Sequence, residues 1–208
     1  AALHEARRSG LGQVVDAAMV DGVASIMTVT MGLHAAGMMG KERGTNLLDT
    51  GAHFYEVYEC ADGRHLSVAP IEGKFYRLLL EKLGLQDHPL LQQQMDKACW
   101  PEAKQVLAAR FKERTRDEWT ALLGHLDACV APVLDFDEAP RHPHVKARGT
   151  LTEVAGVVQP APGPRFSRTP AARPEPPAPL STENALAALQ GWLPQERIQA
   201  YQSHNTFI

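Results

Sequence analysis

Several features that would assign a chain quickly are scarce in these 208 residues. There are three cysteines, Cys60, Cys99 and Cys129, an odd set with no C-x-x-C spacing. That argues against a disulfide frame or a cysteine zinc site and suits buried thiols in a reducing, cytoplasmic compartment. No basic stripe and no interleaving of aromatic with basic residues occurs, and the net charge of -3 is mixed in sign along the chain. Nucleic acid is therefore not an expected partner. No uninterrupted apolar run reaches membrane length and no charged-then-apolar leader is present, so a soluble protein without membrane attachment is expected. The glycines fit no phosphate-loop spacing. No internal repeat occurs.

What is present, 44% hydrophobic and 22% charged residues, allows one core of ordinary size or slightly more. The most strongly patterned stretch is 46–76, NLLDTGAHFYEVYECADGRHLSVAPIEGKFY. Val57, Leu66 and Val68 are apolar β-formers around Asp62-Gly63, a pair that favours a type I′ hairpin turn. The returning strand ends at Ala69-Pro70-Ile71-Glu72-Gly73, leaving the Glu72 carboxylate beside a helix that starts near Lys74. Phe75, Leu78, Leu79 and Leu83 carry that helix to Gly84.

The remainder reads as follows. Residues 1–8 are helical, with no initiator Met and the look of a helix's last turns, so the chain is expected to be part of a longer protein. Val14-Val15 suggests a short strand. Residues 17–39, AAMVDGVASIMTVTMGLHAAGMM, have few charges and apolar residues on nearly all faces, which predicts one long helix buried against several neighbours. Trp100-Pro101 opens a helix with Val106, Leu107 and Phe111. Thr115 or Asp117 can cap the next, which carries Trp119, Leu122, Leu123 and Leu126. Residues 129–134, with Pro132, suggest an edge strand, 135–144 a short helix and loop, and 149–158 two strands about Gly156. A proline-rich connection follows over 160–179. Ser181 can cap a helix with Leu186 and Leu189, and 195–203 form a last one. The compact α+β unit thus spans about 56–158.

GQVVDAAMVDG (12–22), the whole of RGTNLLDTGAHFYEVYECADGRHLSVAPIEGKFY (43–76), DACVAPVL (127–134) and APGPRFSRTP (161–170) together resemble the α-methylacyl-CoA racemases of the class III CoA-transferase family. The resemblance covers the C-terminal part of such an enzyme. It implies a fold in which a small α+β domain is joined by long linkers to a Rossmann-like large domain, missing here. Residues 1–16 would end a large-domain segment, 17–55 form a linker with the long helix, and 56–150 the small domain. A proline-rich return linker, 151–180, would lead to C-terminal helices in 181–208. It also implies interlocked homodimers, each site lying between one large domain and the partner's small domain. The substrate would be an acyl-CoA, with no metal or organic cofactor.

The chemistry implied is proton transfer at the carbon beside a thioester carbonyl, which needs a base, an acid and stabilisation of an enolate. By resemblance the pair is a His and an Asp outside this chain, and His4, His34 and His53 match no such motif. Glu72 falls where the family places a glutamate that supports the catalytic His, favouring its protonated form. Without the resemblance, Glu72 reads as a cap on the following helix. Met31, Met38 and Met39 would supply a soft acyl-binding surface, completed by Leu47, Leu48, Tyr55 and Ile71; each also suits a core, and Met27 is expected there. The alternation His125, Asp127, Cys129 and the pair His142, His144 are expected to be structural, with no metal site. Arg165 to Arg168 read as a docking loop.

Two other functions fit parts of this pattern. A class III CoA transferase would use an Asp nucleophile and tends to carry a glycine run where this chain reads LLDTGAHF. A truncated dimerisation module would need neither acid nor base.

Overall fold

A computed structural model of the chain describes residues 1–203; the last five residues of the 181–208 segment lie outside the described residues. Helix α1 (Ala2–Ser9) stops at Gly10, which takes the left-handed conformation with φ 77°. Val14 and Val15 follow in irregular, exposed chain. The strand expected there does not form; among the described residues no strand pairs with this stretch.

The single helix expected over 17–39 is two helices of eight residues, α2 (Met19–Ile26) and α3 (Thr28–Ala35). They break at Met27, where Thr28 Oγ1 turns back to donate to Ser25 O at 2.7 Å, local bonding that competes with the helix ladder. No residue of either helix is buried. The expected burial is therefore not found, and Val20, Val23, Ile26 and Val29 face solvent.

Strand β1 (Glu56–Glu59) pairs antiparallel with β2 (His65–Val68), Glu56 opposite Val68 and Glu59 opposite His65. The turn differs from the one expected. Gly63 has φ 74° but Asp62 is not at positive φ. Cys60 N–H donates to Arg64 O at 2.7 Å and Gly63 N–H to Cys60 O at 3.1 Å. The result is a three-residue loop with one left-handed glycine, in place of a two-residue type I′ turn. Asp62 is instead used as an acceptor, taking N–H bonds from Arg64 and Arg116, both at 3.3 Å.

Helix α4 (Gly73–Leu83) ends at left-handed Gly84 and buries Tyr76, Leu79, Leu80 and Leu83. A 3-10 turn, Pro89–Leu91, leads to α5 (Trp100–Phe111). Thr115 caps α6 (Arg116–Leu123) through a full capping box with Glu118. Strand β3 (Val130–Pro132) pairs with β2, giving the order β1-β2-β3 with Pro132 on an edge strand. Tyr58, Leu66, Val68 and Val130 face the helices. Phe111 stacks on Tyr58 with ring centroids 5.1 Å apart and meets Trp119 edge-on at 5.5 Å. Of the three cysteines Cys60 is buried, Cys99 half-buried and Cys129 exposed, so only one matches the expected buried thiol.

These elements belong to the unit Ala1–Val133; a second unit is Leu134–Ile208. There a 3-10 turn, Ala139–Arg141, precedes α7 (Pro143–Arg148), which begins earlier than the loop expected up to His144. Strands β4 (Leu151–Val154) and β5 (Val157–Pro160) form a hairpin. Ala155 and Gly156 both have positive φ, 50° and 82°, so the two-residue primed turn occurs here. Ser181 Oγ caps α8 (Thr182–Gln190), accepting from Asn184 N–H at 3.1 Å, and α9 (Gln195–Ser203) follows.

Candidate active site

Glu72 is the N-cap residue of α4, with extended backbone (φ −74°, ψ 133°) and no side-chain capping bond. Its carbonyl takes the first helical N–H groups, from Phe75 at 3.0 Å and Tyr76 at 3.1 Å. The exposed carboxylate is thus delivered to the strand-helix junction without being used to close the helix. Cys129, across the sheet end, accepts Ala69 N–H at 2.9 Å through its carbonyl. Burial, then the charges of Glu72 and Asp127, push its thiol above the ordinary range. This disfavours a thiolate there.

A second feature is an apolar groove of about 370 Å³. Met38, Met39, Leu47 and Leu48 line it, together with Met27 and Leu33. Four of the seven expected acyl-contact residues therefore come together. Met31 is exposed on α3 and does not line this groove. Tyr55 lines a separate hollow with Glu56 and Ser67, and Ile71 packs against the core. Met27, expected in the core, is 41% exposed and forms part of the groove, because the break between α2 and α3 falls on it.

The groove walls are held by Asn46, buried at 4% exposure. Its Oδ1 accepts Gly40 N–H at 2.8 Å, and its Nδ2 donates to Gly40 O at 3.2 Å and Asp49 Oδ2 at 2.8 Å. One side chain thereby bridges the residue after Met39 and the residues flanking Leu47 and Leu48. Asn46 N–H donates to Asp49 Oδ1 at 2.7 Å. Burial opposes ionisation of Asp49, but these bonds and those from the Gly44 and Gly51 backbone hold its carboxyl below the usual range. A Cβ at Gly51 would lie 2.5 Å from Asn46 O, so only glycine fits.

His53 is fully buried beneath this loop. Its Nε2 lies 2.7 Å from Tyr76 Oη, and Tyr76 O–H reaches Leu91 O at 3.1 Å. The tautomer protonated at Nε2 satisfies both contacts, leaving Nδ1 as an unpaired acceptor. Burial, and secondarily the Lys104 charge, push the imidazole from 6.5 down to about 4. A neutral, enclosed imidazole of this kind supports structure and is no proton shuttle near neutral pH. Because the folded pKa is depressed, the unfolded chain binds the extra proton between pH 6.5 and about 4. Stability is full above that window and falls as pH drops through it, by about 3 kcal/mol on complete titration. Urea unfolding at pH 7 and pH 5 is expected to show about 2 kcal/mol of this loss, pH 5 lying above the folded pKa, and His53→Phe to lessen it; an unchanged pH dependence in the variant would assign the loss to other groups.

Among the described residues, no three His, Cys, Asp or Glu side chains converge as metal ligands. Nor is any helix long and apolar enough to cross a membrane. Cys129, which closes the His125 and Asp127 alternation, is exposed, and Arg165 Nη2 donates to Gly149 O at 2.9 Å.

The model for CoA-transferase family III matches residues 1–184. The chain belongs to that family. Within CoA-transferase family III it is 43% identical over 171 residues to the mouse protein "Alpha-methylacyl-CoA racemase", covering 82% of this chain and 45% of the relative. The human protein of the same name is 42% identical, with 82% and 44% covered. The chain thus spans about half the length of these curated relatives. The family fold is also seen in crystal structures of Rv3272 from Mycobacterium tuberculosis, one with a TM-score of 0.64 at 17% identity, covering 84% of this chain and 48% of that one.

Proposed function

We propose that this chain forms the small-domain wall of a racemase or epimerase site. The enzyme inverts the α-carbon of 2-methylacyl-CoA thioesters by 1,1-proton transfer through an enolate. The identity of 42–43% to mammalian racemases carries the reading of the reaction. The uncapped Glu72 carboxylate and the methionine groove support the placement of the site. In this reading a His and an Asp outside the chain act as base and acid, and Glu72 orients the His and favours its protonated form. Met38, Met39, Leu47 and Leu48 seat the acyl chain, with Met31, Tyr55 and Ile71 at its margins. No metal or organic cofactor takes part, CoA being part of the substrate.

The same proposal assigns residues 17–55 and 151–180 to linkers of an interlocked homodimer, 56–150 to the small domain, and 1–16 and 181–208 to the large domain. Two subunits would then share each site.

CoA transfer is the second reading, favoured by the family's description. It fits the loop at 46–55 less well. Gly51 there is pinned against Asn46, whereas a transferase glycine run must be free to close over the reacting carbonyl. Chiral analysis separates the two readings. The complete protein should convert (2R)-2-methylacyl-CoA to a mixture of enantiomers with no acceptor acid present. Retained configuration, with CoA moved only after an acceptor acid is added, would establish the transferase instead.

A further inference from the structure

The side chain that holds the approach to Glu72 is distant from it in sequence. Gln94 lies between the Pro89–Leu91 turn and α5, and its Nε2 donates to Pro70 O at 2.9 Å and Ile71 O at 3.0 Å. These are the two residues that lead into Glu72. Pro70 is buried and lies beyond the last paired residue of β2, so its carbonyl needs a partner from outside the strand ladder. Ile71 N–H closes a tight turn onto Ala69 O at 3.0 Å. Gln94 is fixed in turn: its own carbonyl accepts Trp100 Nε1–H at 2.9 Å. Trp100 is buried and meets Phe54 edge-on at 6.0 Å. On the other side, a Cβ at Gly73 would sit 4.0 Å from Gln94 Oε1 and 3.3 Å from Arg77 Nη1, so the helix start packs closely beside the amide.

Glu72 itself makes no capping bond, and its side chain is exposed. With no side-chain bond to hold it, the point from which the carboxylate projects is set by the backbone of residues 70 and 71. We propose that Gln94 is a positioning residue for Glu72, aiming the carboxylate at the catalytic centre by clamping the two carbonyls before it. This rests on the reading that Glu72 supports the catalytic His. A clamp of that kind matters because small displacements of a catalytic group cost large factors in rate.

A double-mutant cycle in the complete protein tests the proposal, with α-proton exchange of 2-methylacyl-CoA as the readout. Gln94→Leu keeps the volume and removes both donors, and is expected to slow exchange about tenfold. In a Glu72→Gln background the same change should cost less than about twofold, because the group it positions has already lost its charge. Gln94→Glu, similar in shape and without the donors at neutral pH, should give the same pattern and replaces the leucine variant if that fails to fold. An equal loss in both backgrounds would show that Gln94 only stabilises the fold and would overturn the proposal. So would an unchanged rate for Gln94→Leu while Glu72→Gln is slow. If Glu72→Gln alone leaves exchange unchanged, the role of Glu72 falls, and the inference falls with it.

Discussion

Glu72→Gln in the complete protein is expected to slow α-proton exchange by roughly tenfold to a hundredfold, as loss of a group supporting a catalytic residue commonly does. The substitution keeps shape and removes charge. In the proposed role, the imidazolium then lacks the Glu72 charge that favours it, and the His lacks its orienting partner. Folding should hardly change. The carboxylate is exposed and makes no capping bond, so α4 loses only a macrodipole interaction worth about 0.5 kcal/mol. Exchange and unfolding measured on one preparation check both halves. A normal rate would reduce Glu72 to a surface residue at a helix start.

Trp119→Ala carries the largest expected loss of stability, about 4 kcal/mol. The ring is fully buried, meets Phe111 edge-on, and donates Nε1–H to Phe111 O at 2.9 Å. Arg114 and Arg110 lie over it at 5.1 and 5.8 Å. Truncation therefore opens a cavity between α5 and α6 and leaves a buried carbonyl without its donor, two separate penalties. Trp192, almost fully exposed, is the contrast: its alanine variant should shift stability by no more than about 0.5 kcal/mol. Denaturant unfolding of the two variants should separate them clearly, and similar midpoints would contradict this picture of the core.

What could be read from sequence follows how local each signal is. The β1–β2 pairing, α4 with its Gly84 stop, and a cap at Thr115 or Asp117 all depend on neighbours a few residues apart; the first two form as expected and Thr115 takes the cap. Turn type was less legible. Asp62-Gly63 has primed-turn composition, yet the carboxylate of Asp62 is committed to N–H groups of Arg64 and of distant Arg116, and Ala155-Gly156 takes the primed turn. Residues 17–39 misled because their apolar pattern marks no single face and Thr28 turns back on Ser25. At the proposed site, Glu72, Met38 and Met39 are expected through resemblance, whereas Met31 lies off the groove and Met27, expected in the core, lines it. The groups that hold Glu72 and the groove were not expected. Asn46 works through contacts gathered by a folded loop, and Gln94, third in a run of glutamines, bonds carbonyls more than twenty residues away. No spacing rule separates Gln94 from Gln92 or Gln93.

The central claim is that the reaction is proton transfer at the α-carbon, with this chain forming one wall of the site. Deuterium uptake tests it most directly. The complete protein is incubated in heavy water with (2R)- and, separately, (2S)-2-methylacyl-CoA, without an acceptor acid, and the thioester is weighed by mass spectrometry. Both enantiomers should gain one deuterium at the α-carbon, at rates that Glu72→Gln lowers together. An α-carbon that keeps its proton through prolonged incubation with active, folded protein would contradict the account.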